Sequence, residues 1–175
     1  MIEEQTSLDT QTYYNLGLGE LSLSDVISQI KTFLEEDEAA EYSLIIGSDS
    51  QERPSSDTST RLINLITAIV VHRKGFGARY FWLRKKDIPV HSLREKIYVE
   101  TLTSLQFASE FVPKLKKTLN GHAPKYLLEI HVDIGEHGET REMIKEITGM
   151  VTGNGFVAKT KPYAFGASYV ADKHT

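Results

Sequence analysis

Apolar residues along the chain fall into blocks of helical and strand spacing. In SLSDVISQIKTFLEED, Val26, Ile27, Ile30, Phe33 and Leu34 recur at helical spacing, with Ser24 as the candidate N-cap. The acidic run Glu35–Glu41 ends this helix as a solvated connector. The β-branched run Tyr42–Asp49 predicts a buried strand, and Gln51–Thr60 a polar loop. Arg61–Arg73 predicts a long strand, Lys74–Gly77 a hairpin turn, and Ala78–Lys86 a third strand running back antiparallel. A second helix starts at Ser92, whose spacing to Glu95 suits a capping box. Ile97, Leu105, Ala108, Val112, Leu115 and Leu119 carry its apolar stripe. Pro113 predicts a kink or a new start in it, and Gly121 a stop.

Tyr126–Gly135 predicts a fourth strand, with Leu128, Ile130 and Val132 on one face and Glu129, His131 and Asp133 on the other. Glu139–Val151 predicts a helix, Phe156–Ala164 a fifth strand ending near Pro162, and Gly166–Thr175 a terminal helix. Residues 1–20 lack periodicity and are expected to form an arm, leaving residues 21–175 as a single domain. After the N-terminal helix the order is β-β-β-α-β-α-β-α. The first three strands form an antiparallel meander, and helical crossovers make the later pairings parallel. The expected fold is α/β: a mixed five-stranded sheet flanked by helices, with an extra N-terminal helix.

The chain of 175 residues has no cysteine, which excludes a disulfide scaffold, a thiolate zinc site and a cysteine nucleophile. Glu3 and Glu4 stand where a signal peptide needs basic and then apolar residues, and no apolar run approaches about 18 residues. A cytoplasmic protein without a membrane segment is expected. The net charge of −4 argues against a nucleic-acid binder, but its distribution is uneven. Residues 1–60 carry 13 acids and 2 bases, residues 61–175 carry 11 acids and 18 bases. The asymmetry fits a basic working surface beside an acidic flank, and it equally fits solvated faces.

Asp49 ends the first strand and Asp133 the fourth, at the strand ends where α/β sheets bind ligands. Glu100 lies on the long helix and Asp172 on the terminal one. Carboxylates from four elements meeting at one spot would repel one another, and Mg²⁺ or Mn²⁺, which favour oxygen ligands, would relieve that. Two such ions can clamp the attacking and leaving oxygens of a phosphodiester. Asp49 and Asp133 also suit strand-end turns, and Asp172 a solvated chain end. Glu95 is assigned to the cap, which leaves Glu100 as the helix acid. His131 reads as a partner of Asp133 or as a satisfied sheet histidine, and the pair with His137 lacks further zinc ligands. His174, beside Asp172, reads as a proton carrier or a frayed terminal residue. Arg84, Lys85, Lys86, Arg94 and Lys96 cluster after the third strand near Tyr80, Phe81 and Trp82. Bases interleaved with aromatics suit nucleic acid, though Trp82 also suits a core. Neither a Walker loop nor a G-x-S-x-G elbow occurs.

The order of elements resembles the ribonuclease H-like fold. The strings IIGSDSQ at 45–51, KGFGARYFW at 74–82, EIHVDIG at 129–135 and the terminal KPYAFGASYVADKH resemble the YkuK-type family of ribonuclease H-like proteins over roughly residues 15–175. The resemblance implies Asp49, Asp133 and Asp172 as metal-binding carboxylates, with Glu100 as the fourth. It implies a nuclease using two Mg²⁺ or Mn²⁺ ions on RNA or an RNA–DNA hybrid, the backbone being held by the bases from Arg84 to Lys96. The alternative is a catalytically inactive module of the same fold that binds nucleic acid or protein. An actin-like ATPase is disfavoured, since the chain is about half the length that a two-domain ATP clamp needs.

Overall fold

The computed structural model describes residues 7–54, 59–122 and 124–174. A seven-stranded sheet in the order β2-β1-β5-β4-β3-β6-β7 forms its centre. The strands are β1 (Tyr13–Asn15), β2 (Gly19–Leu21), β3 (Tyr42–Arg53), β4 (Arg61–Arg73), β5 (Gly77–Val90), β6 (Tyr126–His131) and β7 (Val157–Lys159). The helices are α1 (Leu23–Glu35), α2 (Leu93–Leu119), α3 (Ile144–Gly153) and α4 (Gly166–His174). The β3–β6 and β6–β7 pairs are parallel and the other pairs antiparallel. This is the mixed sheet expected from the meander and the crossovers.

Alternation along the strands divides the core into two faces. Leu44, Ile46, Ile69, Val71, Phe81, Leu83 and Ile130 join residues of α1, α2 and α3 in the larger cluster. Ile45, Ile66, Ala68, Val70 and Trp82 face the other way and meet Val170 and Ala171 of α4. The central strands are therefore buried on both sides, which is why they read as nearly continuous apolar runs.

The sheet has two strands more than the five expected, because part of the expected arm at residues 1–20 belongs to it. Tyr13–Asn15 and Gly19–Leu21 form a hairpin beside β5. Asn15 Oδ1 accepts the N–H groups of Gly17 and Leu18, which fixes the turn without any apolar periodicity. The side chain of Tyr13 is fully buried, its ring 6.3 Å from that of Phe107, and its hydroxyl donates to the Leu8 carbonyl. β3 extends to Arg53, into the segment expected to be loop, and β5 runs past its expected end at Lys86 to Val90, while β7 keeps only Val157–Lys159 of its expected span.

Local caps also differ from expectation. Ser22, not Ser24, caps α1 in a full capping box with Asp25. Ser92 accepts from the N–H of Glu95, but the Glu95 carboxylate takes the N–H of His91 instead of that of Ser92. α2 runs through Pro113 as one helix. Pro113 sits on its exposed side, where water can solvate the carbonyl that loses its donor. The helix stops at Asn120, left-handed at φ 49°, just before Gly121. Among the described residues, no helix is long and apolar enough to cross a membrane.

Tyr13→Ala is expected to cost about 3 kcal/mol of folding stability, as truncation of a buried aromatic does. Urea denaturation checks this: a loosely docked arm would give a midpoint equal to wild type.

Candidate active site

The register of the central strands places the acids. Gly47 of β3 lies opposite His131 of β6 in a parallel pair. Beyond this last pair Asp49 continues β3 and Asp133 follows the end of β6, near enough to act on each other electrostatically, and α4, which carries Asp172, packs on the face of β3 that holds Ile45 and Asp49. Burial pushes the pKa of Asp49 above the ordinary carboxylate value. The charge of Asp133 adds to the rise and that of Asp172 adds less, against the Ser50 N–H and Lys96. The structure thus brings three of the expected carboxylates within electrostatic reach of one another.

Glu100 reaches the same neighbourhood from α2. It is 4% exposed, and burial pushes its pKa up; Lys96 and the Ser50 hydroxyl pull it back, and Asp49 adds a further rise. The Ser50 hydroxyl donates to Glu100 Oε1 at 2.7 Å, and Lys96 Nζ lies 3.0 Å from the same oxygen. Burial opposes the charge on Lys96, but the adjoining Glu100 carboxylate more than offsets this and its pKa rises. Beneath Asp49, Ser48 Oγ and Thr67 Oγ1 are 2.9 Å apart, and Ser104 Oγ lies 3.0 Å from both Ser48 Oγ and the Glu100 carbonyl. These hydroxyls fix the end of β3 against α2. Alternation explains the division of labour: Ser48 and Ser50 turn to α2 while Asp49 between them turns to α4.

Asp133 has a different counter-charge. Lys161 Nζ lies 2.9 Å from Asp133 Oδ1, but off the angle of a hydrogen bond, so this buried oxygen has charge compensation without a directed donor. As the side chains stand, no group of three or more Asp, Glu or His among the described residues is placed to hold a metal ion. Carboxylate oxygens are nonetheless the donors a hard divalent cation takes, and Asp133 Oδ1 is buried without a directed hydrogen-bond donor.

His131 positions α4. The N–H of Gly166 donates to His131 Nδ1 at 3.2 Å, so Nε2 carries the proton toward Glu129 Oε2 at 2.8 Å. Burial keeps the imidazole below its ordinary pKa, against the Glu129 carboxylate. A Cβ at Gly166 would lie 2.8 Å from Ile45 Cγ2, so glycine is what allows α4 to approach the sheet this closely. His131 therefore acts on the helix that carries Asp172 rather than on Asp133.

A family profile described as ribonuclease H-like matches residues 25–175. The chain belongs to the ribonuclease H-like family. It is 34% identical over 178 residues to the uncharacterised protein YkuK of Bacillus subtilis (strain 168), covering 95% of this chain and 98% of that relative. The match places it with the YkuK-type members. No solved structure matches the chain.

In this ribonuclease H-like chain the expected bases separate into two groups. Arg84, Lys85 and Lys86 are exposed on β5, and among the described residues no carboxylate lies within ion-pair distance of them. Arg94 lies 2.6 Å from Glu146 and over the ring of Tyr98, while Lys96 is turned inward to Glu100. His174 is not frayed: its ring stacks on Trp82 at 3.6 Å and 10°. Burial, then the charges of Arg84 and Lys173, lower its pKa. Sequence reasoning missed Ser50, Lys161 and the role of Gly166. The i,i+4 spacing of Lys96 and Glu100 was the one readable signal of their pairing.

Because the pKa of Asp49 is raised, the folded state binds its proton more tightly than the unfolded chain does. Its contribution to stability is present at low pH and lost as pH rises above the ordinary value of 3.8. In chelator-containing buffer, Asp49→Asn should therefore melt above wild type at pH 7, with the gap closing toward pH 4. Equal melting at both pH values would show that Asp49 carries no such penalty.

Proposed function

We propose that this protein is a metal-dependent nuclease that hydrolyses phosphodiester bonds in RNA or RNA–DNA hybrids. The observation that carries this reading is the crowding of Asp49, Asp133 and Asp172, with Asp49 destabilised as an anion and Asp133 Oδ1 lacking a donor. Asp49, Glu100, Asp133 and Asp172 would hold two Mg²⁺ or Mn²⁺ ions. Such ions, when bound, supply activation of water and stabilisation of the leaving oxygen. Ser50 orients Glu100, and His131 with Gly166 keeps α4 seated so that Asp172 stays in reach. Arg84, Lys85 and Lys86 would hold the sugar–phosphate backbone. Phosphate contacts position a nucleic acid without reading its sequence, so little sequence preference is expected.

A second reading, a non-catalytic nucleic-acid-binding module, is favoured by one observation. Lys96 and Lys161 already sit against Glu100 and Asp133. In this reading the lysines replace the ions for good.

Incubation with labelled RNA and RNA–DNA hybrid in Mn²⁺ or Mg²⁺ separates the two. The nuclease reading expects cutting that stops in chelator and falls by about a thousand-fold or more in Asp49→Asn, a variant that stays folded. Salt-dependent binding without turnover in either metal supports the module instead.

A further inference from the structure

The N-terminal hairpin creates a cleft that neither the acids nor the fold requires. β1 meets β5 in a single registered pair, Tyr14 with Trp82. Continued antiparallel pairing would set Thr12 against Arg84 and Thr10 against Lys86. The chain instead turns away in a 3-10 segment, Leu8–Thr10. Burial of Leu8 in the larger core cluster and the 2.7 Å ion pair of Asp9 with Lys114 of α2 anchor that departure. The two strands splay and leave a cleft of about 590 Å³ bounded by Thr10–Tyr14 on one side and Trp82–Lys86 on the other.

Its lining is specific in chemistry. Arg84, Lys85 and Lys86 supply three exposed cations with no ion-pair partner among the described residues. Tyr14, partly exposed, lines one end and packs on the buried Trp82 with ring centroids 6.0 Å apart, while His174 covers Trp82 from another side. Beyond Trp82 the edge of β5 has no registered partner on this side among the described residues, which leaves peptide groups along that edge for a ligand. Cations for phosphates, an aromatic wall for bases and free peptide groups are what an unpaired nucleic-acid strand uses. The volume is in the range of roughly 300–1,000 Å³ typical of pockets for one small ligand, which suits a nucleotide or two.

The cleft also lies in line with the acids. Asp49 pairs with Ile66, and Ile66 with Arg84. Asp49, Ile66 and Arg84 thus form a row across three strands, with Ile66 buried beneath α4. Asp49 and Arg84 are two strand spacings apart, roughly 10 Å, about three stacked nucleotides along one strand.

We propose that the β1–β5 cleft seats an unpaired stretch of the nucleic acid, so that the substrate is single-stranded a few nucleotides from the phosphodiester at the acids. The inference rests on the reading above for the polymer's chemistry, and it narrows the substrate from a plain duplex to one with a single-stranded segment.

Trp82 is the only tryptophan and Tyr14 of the cleft wall packs on it, so its emission reports on a ligand seated against Tyr14. The protein is titrated in chelator with a single-stranded RNA of about 10 nucleotides, the same RNA in a blunt RNA–DNA hybrid, and that hybrid with an overhang. The expected result is a change in Trp82 emission with the single strand and the overhang, and binding about ten-fold tighter than to the blunt hybrid, the value of one stacked base. Arg84→Gln with Lys86→Gln should lose about ten-fold in affinity and lower the salt slope by about 1.4, two phosphate contacts' worth. Lys116→Gln with Lys117→Gln, at the far end of α2, should change neither. Blunt hybrid bound as tightly as single strand, or an Arg84/Lys86 variant that binds like wild type, overturns the proposal. Binding as expected but no cutting in Mn²⁺ would sink the nuclease reading and support the cleft. Cutting with binding unaltered in the Arg84/Lys86 variant would sink the cleft alone.

Discussion

The parallel pairing of β3 with β6 brings Asp49, at the end of its apolar run, close to Asp133 just past β6, and the rest of the site is arranged around the repulsion this creates. A one-residue slip would turn either acid to the opposite face. That slip is blocked because Leu44, Ile45 and Ile46 are buried on both sides of β3 and Ile130 lies in the larger cluster. The hydrophobic core therefore supplies the rigidity that holds Asp49 beside a like charge, where its anion is disfavoured. α4 adds Asp172 to the same face, and its seat depends on a hydrogen bond from Gly166 to a histidine kept neutral by burial.

Two lysines relieve part of the strain. Lys96 meets Glu100 from one helical turn earlier, and Lys161 meets Asp133 from the segment after β7. Neither forms an ion pair with Asp49, whose anion is disfavoured by desolvation first and then by two neighbouring acids. Sites that hold groups in costly states trade stability for function. Here Asp49 carries such a cost, one that a bound cation would relieve.

The sequence revealed the helices, the core strands and the mixed topology because their apolar spacing is strong. It hid the N-terminal hairpin, because β1 and β2 are three residues each and their turn depends on Asn15, a single polar side chain. The four acids stand out in the sequence as candidates from their positions at strand ends and on helices. Their counter-ions were not. Lys96 looked like a backbone-binding base because it stands in a run of bases, and only the fold shows that the i,i+4 partner, Glu100, is buried and draws it inward. His131 looked like a partner of Asp133 since they share a face. Its partners are instead Glu129, two residues earlier on that face, and a backbone N–H contributed 35 residues later, which no local pattern encodes.

The central claim is that crowded carboxylates around Asp49 form a site for divalent cations. The most direct measurement is a calorimetric titration of Mn²⁺ into wild type and Asp49→Asn, each alone and with a short oligonucleotide whose phosphates complete the coordination. The account predicts saturable binding to wild type at micromolar to millimolar metal and its loss in Asp49→Asn. Equal heats in the two proteins, or none in either with and without oligonucleotide, would contradict it.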